Sequence, residues 1–202
     1  MQELNICIDI DGTVTEPYYW LSRANKYFNT HIRSEDVKIY EIHEILGIKE
    51  ADYSDFYNVY GELLHKESKI RSGAKEVINK LFRNNNIHFI TAREERMRTV
   101  TLEWLTAHQI PMDSIALLGH SNKVNKASAL NCDIFIEDRY ENAIQLADAG
   151  FKVLLIDCTY NRGTLPANAT RVRHWHQIGR ILENRTRNYS PNIFNEYKQA
   201  YN

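Results

Sequence analysis

The chain has 202 residues, of which 43% are hydrophobic and 25% are charged, and its formal net charge is −1. This composition is typical of a globular protein with a sizeable core, and the small net charge argues against non-specific binding to nucleic acid or membranes. The three cysteines are far apart in apolar surroundings, which favours reduced core thiols, and the start MQELN has no signal-peptide pattern. We therefore expect a cytoplasmic protein.

Five short apolar runs along the chain predict strands that are buried on both faces. These runs are residues 4–8, 87–90, 115–118, 134–136 and 153–156. Amphipathic helical patterns lie between the later runs, at residues 77–82, 97–105 and 143–147. Strands that alternate with helices predict an α/β fold with a doubly wound parallel sheet.

One interval departs from this alternation. Residues 16–70 contain no strand pattern, although a simple crossover needs only a short helix and loops. The interval is rich in aromatic residues, and apolar residues occur at helical spacing between Phe56 and Leu64. We predict a small helical cap at 16–70, inserted after the first strand into a core formed by 1–15 and 71–183. The polar residues 184–202 are predicted to form a peripheral tail.

Polar side chains follow four consecutive predicted strands. In chain order they are Asp9 with Asp11, then Thr91, then Lys123, and then Glu137 with Asp138. Because ligands bind beyond the carboxyl ends of parallel strands, we expect these side chains to converge on one site. Capping of a helix N-terminus could explain one such acid, but four consecutive strand ends with such groups are hard to explain by capping.

The first pair of acids indicates the chemistry. Asp9 and Asp11 are two residues apart, so their side chains point to the same side of the strand. Two carboxylates this close are costly unless a cation, usually Mg²⁺, shares them or one carries a proton. The set supports attack by a carboxylate on phosphorus, with a lysine and a threonine holding the transferred group and the second aspartate handling the leaving-group proton.

The stretch IDIDGTVT resembles the first motif of the haloacid dehalogenase superfamily, and the later strand ends lie where its other three motifs fall. The resemblance covers roughly residues 4–181. More narrowly, FITARE, FIEDRYENA and VLLIDCTYNR, together with the helical insertion, make the chain similar to 5'(3')-deoxyribonucleotidase-type nucleotidases. The fold implied is the α/β core of that superfamily with a cap after the first strand.

The resemblance also implies a role for each site residue. Asp9 would be the nucleophile that forms an aspartyl-phosphate, and Asp11 would protonate the leaving nucleoside oxygen and then activate water. Mg²⁺ would be bound by the Asp9 carboxylate, the Asp11 main-chain carbonyl and Asp138, with Glu137 beside the ligands. Thr91 and a lysine would bind the phosphate. An acid at position 11 favours a phosphatase over a dehalogenase or a phosphonate hydrolase.

Two assignments stay open at this point. Lys123 directly follows the third strand, whereas Lys126 lies closer to the fourth, and we favour Lys123 as the phosphate lysine. Arg93 could donate two hydrogen bonds to a phosphate or substrate oxygen, or it could pair with Glu94 or Glu95 at the surface.

The substrate is the least determined feature. Tyr18, Tyr19 and Trp20 are the aromatic residues best placed to stack on a nucleobase, and we expect core packing for at least one of them. We expect a Mg²⁺-dependent phosphomonoesterase acting on (deoxy)nucleoside monophosphates, with no nucleic acid polymer or membrane as partner and with a homodimer left open. The alternatives are a phosphatase for another small ester such as a sugar phosphate, and a non-catalytic phosphate-binding regulator, which would have no use for Asp11.

Overall fold

The computed structural model describes residues 3–187, with side chains described as far as residue 183. The strands are β1 (Asn5–Ile8), β2 (Asn86–Thr91), β3 (Ser114–Leu117), β4 (Ile134–Glu137), β5 (Lys152–Ile156) and β6 (Ala169–Val172). They form one six-stranded parallel sheet in the order β3-β2-β1-β4-β5-β6. The predicted doubly wound α/β fold is confirmed, and the order of the strands reverses direction at β1, the strand that delivers the first acids.

The helices cover both faces of this sheet and form the insertion after β1. They are α1 (Leu21–Phe28), α2 (Ile42–Leu46), α3 (Glu50–Glu67), α4 (Ala74–Leu81), α5 (Arg98–Ala107), α6 (Val124–Ala129), α7 (Tyr140–Asp148) and α8 (Trp175–Arg187). Within the part of the chain that the structure describes, none of them is both long and apolar enough to cross a membrane.

The alternation of side chains along β1 determines which helices it contacts. Ile6 and Ile8 pack in a cluster with apolar side chains of α4, α5 and α8, whereas Cys7 packs on the opposite face with those of α6 and α7. Both faces are therefore buried, which explains why the strand is a continuous apolar run. The three cysteines are free and buried, as the sequence predicted.

Strand β6 was not predicted from the sequence. Its four residues include Thr170 and Arg171, so it has no continuous apolar run. Arg171 forms a hydrogen bond with the side chain of Asn161 at 2.6 Å and an ion pair with Asp157 at 3.3 Å. Polar residues are common on edge strands, since one side of such a strand has no partner in the sheet.

The insertion after β1 contains α1, α2 and α3 and has its own hydrophobic cluster. The buried members of that cluster are Trp20, Leu21, Ala24, Val37, Leu46, Phe56 and Leu64. The chain enters and leaves the insertion side by side, because Thr15 and Ile70 form an antiparallel bridge and the Arg71 N–H donates to the Val14 carbonyl at 2.8 Å. The boundaries of the predicted cap at 16–70 stay a prediction. Of the predicted tail, α8 continues to Arg187 and the remainder lies outside the described residues.

Candidate active site

The loop after β1 is held in a tight turn that presents both of its acids. Gly12 adopts a φ of +81°, a left-handed conformation that favours glycine. The Gly12 N–H donates to the Thr15 hydroxyl at 3.1 Å, and the Val14 N–H donates to the Ile10 carbonyl at 2.9 Å. From α8, the indole N–H of Trp175 donates to the main-chain carbonyl of Thr13 at 2.8 Å. The loop is therefore fixed both internally and from the core.

Three carboxylates and one lysine form a buried cluster at the carboxyl ends of β1 and β4. One carboxylate oxygen from each of Asp9, Glu137 and Asp138 lies within 4.8 Å of the others. The ammonium group of Lys123 donates to Asp9 and, at 2.8 Å, to Glu137. Burial, with the neighbouring acids, raises the pKa of Asp9 well above its usual value, and burial next to Glu137 raises that of Asp138 to about 7.

The charges of this cluster fit a divalent cation. Three carboxylates and one ammonium group leave an excess of two negative charges in a buried space, which is costly without a counter-ion. Both oxygens of Glu137 already accept protein hydrogen bonds, one from Lys123 and the other from the Arg139 N–H at 3.1 Å and from Asn142 at 3.3 Å. Glu137 is therefore held in place by the protein through both of its oxygens.

Asp138 is held by two hydroxyl groups from different parts of the chain. The Thr13 hydroxyl donates to one carboxylate oxygen at 3.0 Å, and the Tyr160 hydroxyl donates to the other. The carboxylate also lies against Gly12, where a Cβ atom would be 2.3 Å from the nearer oxygen. The loop after β1 and the acid after β4 are thus packed as one unit.

Asp11 has partners that are separate from this cluster. Its carboxylate forms a two-point ion pair with the Arg93 guanidinium, with N–O distances of 2.7 and 2.9 Å. The Tyr19 hydroxyl donates to the same carboxylate at 2.9 Å, and His65 Nδ1 lies 3.6 Å from it. Burial alone would raise the pKa of Asp11, but the charge of Arg93 lowers it far below the usual range. The two acids after β1 therefore have different partners: Asp9 pairs with Lys123, and Asp11 pairs with Arg93.

The position of Arg93 excludes one of the two alternatives that the sequence offered, whereas its contact with a substrate stays a prediction. Its guanidinium is buried, and its third nitrogen donates to the Thr101 hydroxyl at 2.9 Å, so Asp11 and Thr101 occupy it. The surface pairing with Glu94 or Glu95 is not formed. Those two carboxylates instead pair with other arginines, at residues 96 and 98.

The residues that the sequence predicted to bind phosphate lie at the end of β2 and after β3. Thr91 is buried at the end of β2, and its hydroxyl accepts a hydrogen bond from the Arg93 N–H at 3.2 Å. Lys123 immediately precedes α6 and enters the acidic cluster, whereas Lys126 lies on α6 itself. The geometry therefore favours Lys123, although its contact with phosphate stays a prediction.

A cleft of about 500 Å³ lies between the insertion and the loops that follow the strands, and Asp138 is the member of the acidic cluster that lines it. Asp11, Arg93 and Asp138 line the side of the core. Aromatic side chains form much of the remaining wall, and they are Tyr19, Trp20, Tyr40, Tyr53, Tyr57 and Tyr160. Its volume lies within the range of small-molecule sites, which are typically apolar with a few polar groups that orient the ligand.

The three aromatic residues predicted to contact a base have different positions. Tyr19 and Trp20 line the cleft, although Trp20 is only 6% exposed and packs in the hydrophobic cluster of the insertion. Tyr18 packs edge-on against Tyr160, with ring centroids 6.0 Å apart, and its hydroxyl lies 2.7 Å from that of Thr159. Core packing thus accounts for Tyr18 and for much of Trp20.

Several residues that shape the site were not predicted from the sequence. They are Thr13, His65, Arg71, Tyr160 and Trp175. Thr13 and Tyr160 lie within the quoted motifs, so their polar groups beside the acids could have signalled a role. Nothing in the sequence around His65 connects it with Asp11.

Comparisons with known proteins agree with this geometry. Residues 3–188 match the family described as "5' nucleotidase, deoxy (Pyrimidine), cytosolic type C protein". The chain belongs to this nucleotidase family. A nucleotidase of Clostridium acetobutylicum is 49% identical over 183 residues, which cover 91% of this chain and 95% of that protein. The predicted resemblance is confirmed, and this nucleotidase-family chain is a phosphoric monoester hydrolase with a small phosphate ester as substrate.

Solved structures with the same fold are more distant in sequence. A haloacid dehalogenase-like hydrolase from Streptococcus pneumoniae has a TM-score of 0.63 at 12% identity, covering 87% of this chain and 96% of that one. The D,D-heptose 1,7-bisphosphate phosphatase of B. bronchiseptica, solved with magnesium and phosphate, has a TM-score of 0.53 at 15% identity, covering 90% of this chain and 98% of that one. At these identities the likeness establishes the fold of the nucleotidase-family chain.

Proposed function

We propose that this nucleotidase-family chain hydrolyses nucleoside monophosphates, ribo or deoxy, with Mg²⁺ as cofactor and with Asp9 as the nucleophile. The observation that carries the proposal is the buried cluster of Asp9, Glu137, Asp138 and Lys123, because its excess negative charge suits a divalent cation. Through Asp138 the cluster reaches an aromatic cleft whose volume is in the range of small-molecule sites.

Magnesium would be held by the carboxylates of Asp9 and Asp138 and by the main-chain carbonyl of Asp11, while Glu137 keeps its contact with Lys123. When bound, the ion neutralises charge on the phosphate oxygens and thereby favours attack by an anionic oxygen. Oxygen ligands of this kind are the ones that Mg²⁺ prefers.

In the first step, an oxygen of Asp9 forms a bond to phosphorus while the bond from phosphorus to the nucleoside oxygen breaks. Asp11 gives a proton to that leaving oxygen, and Lys123 and Thr91 hold the phosphate oxygens. In the second step, water attacks the phosphorus of the aspartyl-phosphate, Asp11 takes the water proton, and the Asp9 carboxylate is released. Because Arg93 keeps Asp11 ionised in the arrangement described, Asp11 must take up a proton and loosen that pair before the first step.

The walls of the cleft support a nucleoside rather than a bare sugar as the leaving group. Tyr40, Tyr53 and Tyr57 line the cleft, and stacking of a base on aromatic rings does not distinguish strongly among bases. A sugar phosphate is the second candidate, since the same catalytic residues would hydrolyse its phosphate ester. Light scattering of the purified chain would show whether it is a monomer or a homodimer.

The test is phosphate release from nucleoside monophosphates, sugar phosphates and p-nitrophenyl phosphate, each with Mg²⁺ and with EDTA. We expect Mg²⁺-dependent release that is greatest with nucleotides, and we expect Asp9→Asn to abolish it while the circular dichroism spectrum is unchanged. Release from sugar phosphates alone would agree with the proposed mechanism but would reject nucleoside monophosphates as the substrate. Activity retained by Asp9→Asn would reject the covalent mechanism.

A further inference from the structure

Three side chains of the insertion form a hydrogen-bonded chain that ends on Asp11. The Tyr57 hydroxyl lies 2.7 Å from His65 Nε2, and His65 Nδ1 lies 3.3 Å from the Tyr19 hydroxyl. The Tyr19 hydroxyl in turn lies 2.9 Å from an oxygen of Asp11. Tyr57 and His65 belong to α3, and Tyr19 precedes α1, so the chain crosses from the insertion to the core.

The chemistry of the four groups fixes the direction of the hydrogen bonds. An ionised carboxylate can only accept, so the Tyr19 hydroxyl donates to Asp11. The Tyr19 oxygen is then free to accept from His65, which assigns the ring proton to Nδ1 and leaves Nε2 to accept from Tyr57. Every donor in the chain thus points toward Asp11. Burial lowers the pKa of His65 to about 4, which agrees with a neutral ring that both donates and accepts.

Asp11 is therefore held from two sides. Arg93, which follows β2, holds it from the core through two of its three guanidinium nitrogens, and Tyr19 holds it from the insertion. His65 is 2% exposed, so its two hydrogen bonds are shielded from water and fix the Tyr19 hydroxyl in place. In the first step of the proposed function, Asp11 must be aimed at the leaving nucleoside oxygen, and a small error in its position is costly for the rate.

We propose that Tyr19 and His65 are positioning residues that hold the Asp11 carboxylate for proton transfer, so that the insertion contributes to the chemistry as well as to the shape of the cleft. This inference rests on the proposed function, because it assumes that Asp11 transfers the proton. Neither residue touches phosphate in this proposal; both act through Asp11.

The first test is Tyr19→Phe, which removes one hydroxyl and keeps the ring. We compare kcat and KM on a nucleoside monophosphate, whose leaving oxygen needs a proton, and on p-nitrophenyl phosphate, whose leaving group does not. We expect kcat on the nucleotide to fall about tenfold, with kcat on p-nitrophenyl phosphate changed less than about twofold. Tyr60→Phe is the matched control, since Tyr60 lies on α3 and packs against Phe56 outside the cleft.

Variants at His65 give a second, independent readout. His65→Asn keeps an N–H donor near the position of Nδ1, whereas His65→Leu removes both polar atoms. We expect His65→Asn to keep more of the nucleotide activity than His65→Leu does. An equal loss in the two variants, or a loss shared equally by both substrates, would overturn the positioning role in favour of a structural one.

A double-mutant cycle separates this inference from the proposed function. In an Asp11→Asn background, Tyr19→Phe should have no further effect on nucleotide turnover, because the hydroxyl acts through Asp11. A further tenfold loss there would overturn the inference alone. If Asp11→Asn by itself slows both substrates equally, Asp11 is not the acid, and the inference falls together with that part of the proposed function.

Discussion

Gly12→Ala tests whether the loop after β1 and the acid after β4 are packed as one unit. The new Cβ would lie 2.3 Å from an oxygen of Asp138 and 2.7 Å from the Tyr160 hydroxyl. To reach an ordinary contact, the Asp138 carboxylate must move by about 1 Å. The left-handed φ of +81° adds strain of about 1–2 kcal/mol, and the overpacking adds about 1–3 kcal/mol.

Gly47→Ala is the matched control for this substitution. Gly47 also has a left-handed φ, of +67°, but nothing lies within 4 Å of the position that its Cβ would take. We expect Gly47→Ala to lower the free energy of unfolding by about 1–2 kcal/mol through backbone strain, with phosphatase activity unchanged. Gly12→Ala should lower it by about 2–5 kcal/mol and reduce kcat/KM by about 100-fold, because Asp138 is displaced. Urea denaturation measures the free energy of unfolding, and steady-state kinetics measure kcat/KM. Equal effects of the two substitutions would refute the close packing of Gly12 against Asp138.

Three other expectations follow from the same contacts. Lys123→Met breaks a buried ion-pair cluster, so it should lower the free energy of unfolding by about 3–5 kcal/mol and remove activity. Lys126→Met is the control and should change neither quantity. Urea denaturation measures the first quantity and the phosphatase assay the second. Trp175→Phe leaves the Thr13 carbonyl without its indole donor and should lower the free energy of unfolding by about 2 kcal/mol in the same denaturation experiment. Without metal, burial raises the pKa of Asp138 to about 7 in the folded chain, so the free energy of unfolding should fall as the pH rises from about 4, where the unfolded carboxyl ionises, to about 7. Added Mg²⁺ replaces the proton, so it should raise the melting temperature more at pH 8 than at pH 6, and the reverse order in a thermal scan would contradict this.

The placement of Asp9, Lys123 and Asp138 could be predicted because it depends mainly on strand ends. Once parallel strands are recognised, their carboxyl ends must lie at one edge, whatever the intervening helices do. The pairing of Asp11 with Arg93 was not predicted, since it depends on where a long, flexible side chain ends. His65 comes 46 residues after Tyr19, and only the packing of the insertion brings the two together.

Strand β6 illustrates a different limit of the sequence. A central strand is recognised by its continuous apolar run, whereas an edge strand can carry polar side chains that find partners in neighbouring loops. Arg171 is such a residue, because it contacts Asp157 and Asn161, both of which follow β5. Periodicity alone could not distinguish this segment from a loop.

The two acids that follow β1 have opposite requirements, although only Ile10 separates them. Asp11 is stabilised as a carboxylate by Arg93 whether or not a cation is present, whereas Asp9 shares one lysine with Glu137 and its pKa is raised. A divalent cation beside Asp9 and Asp138 would remove the excess negative charge and leave Asp9 ionised, which is the form that can attack phosphorus. Chelation should therefore disable the nucleophile and leave the surroundings of Asp11 intact. EDTA should thus abolish turnover of nucleotides and of p-nitrophenyl phosphate alike, in contrast to the substrate-selective loss expected for Tyr19→Phe.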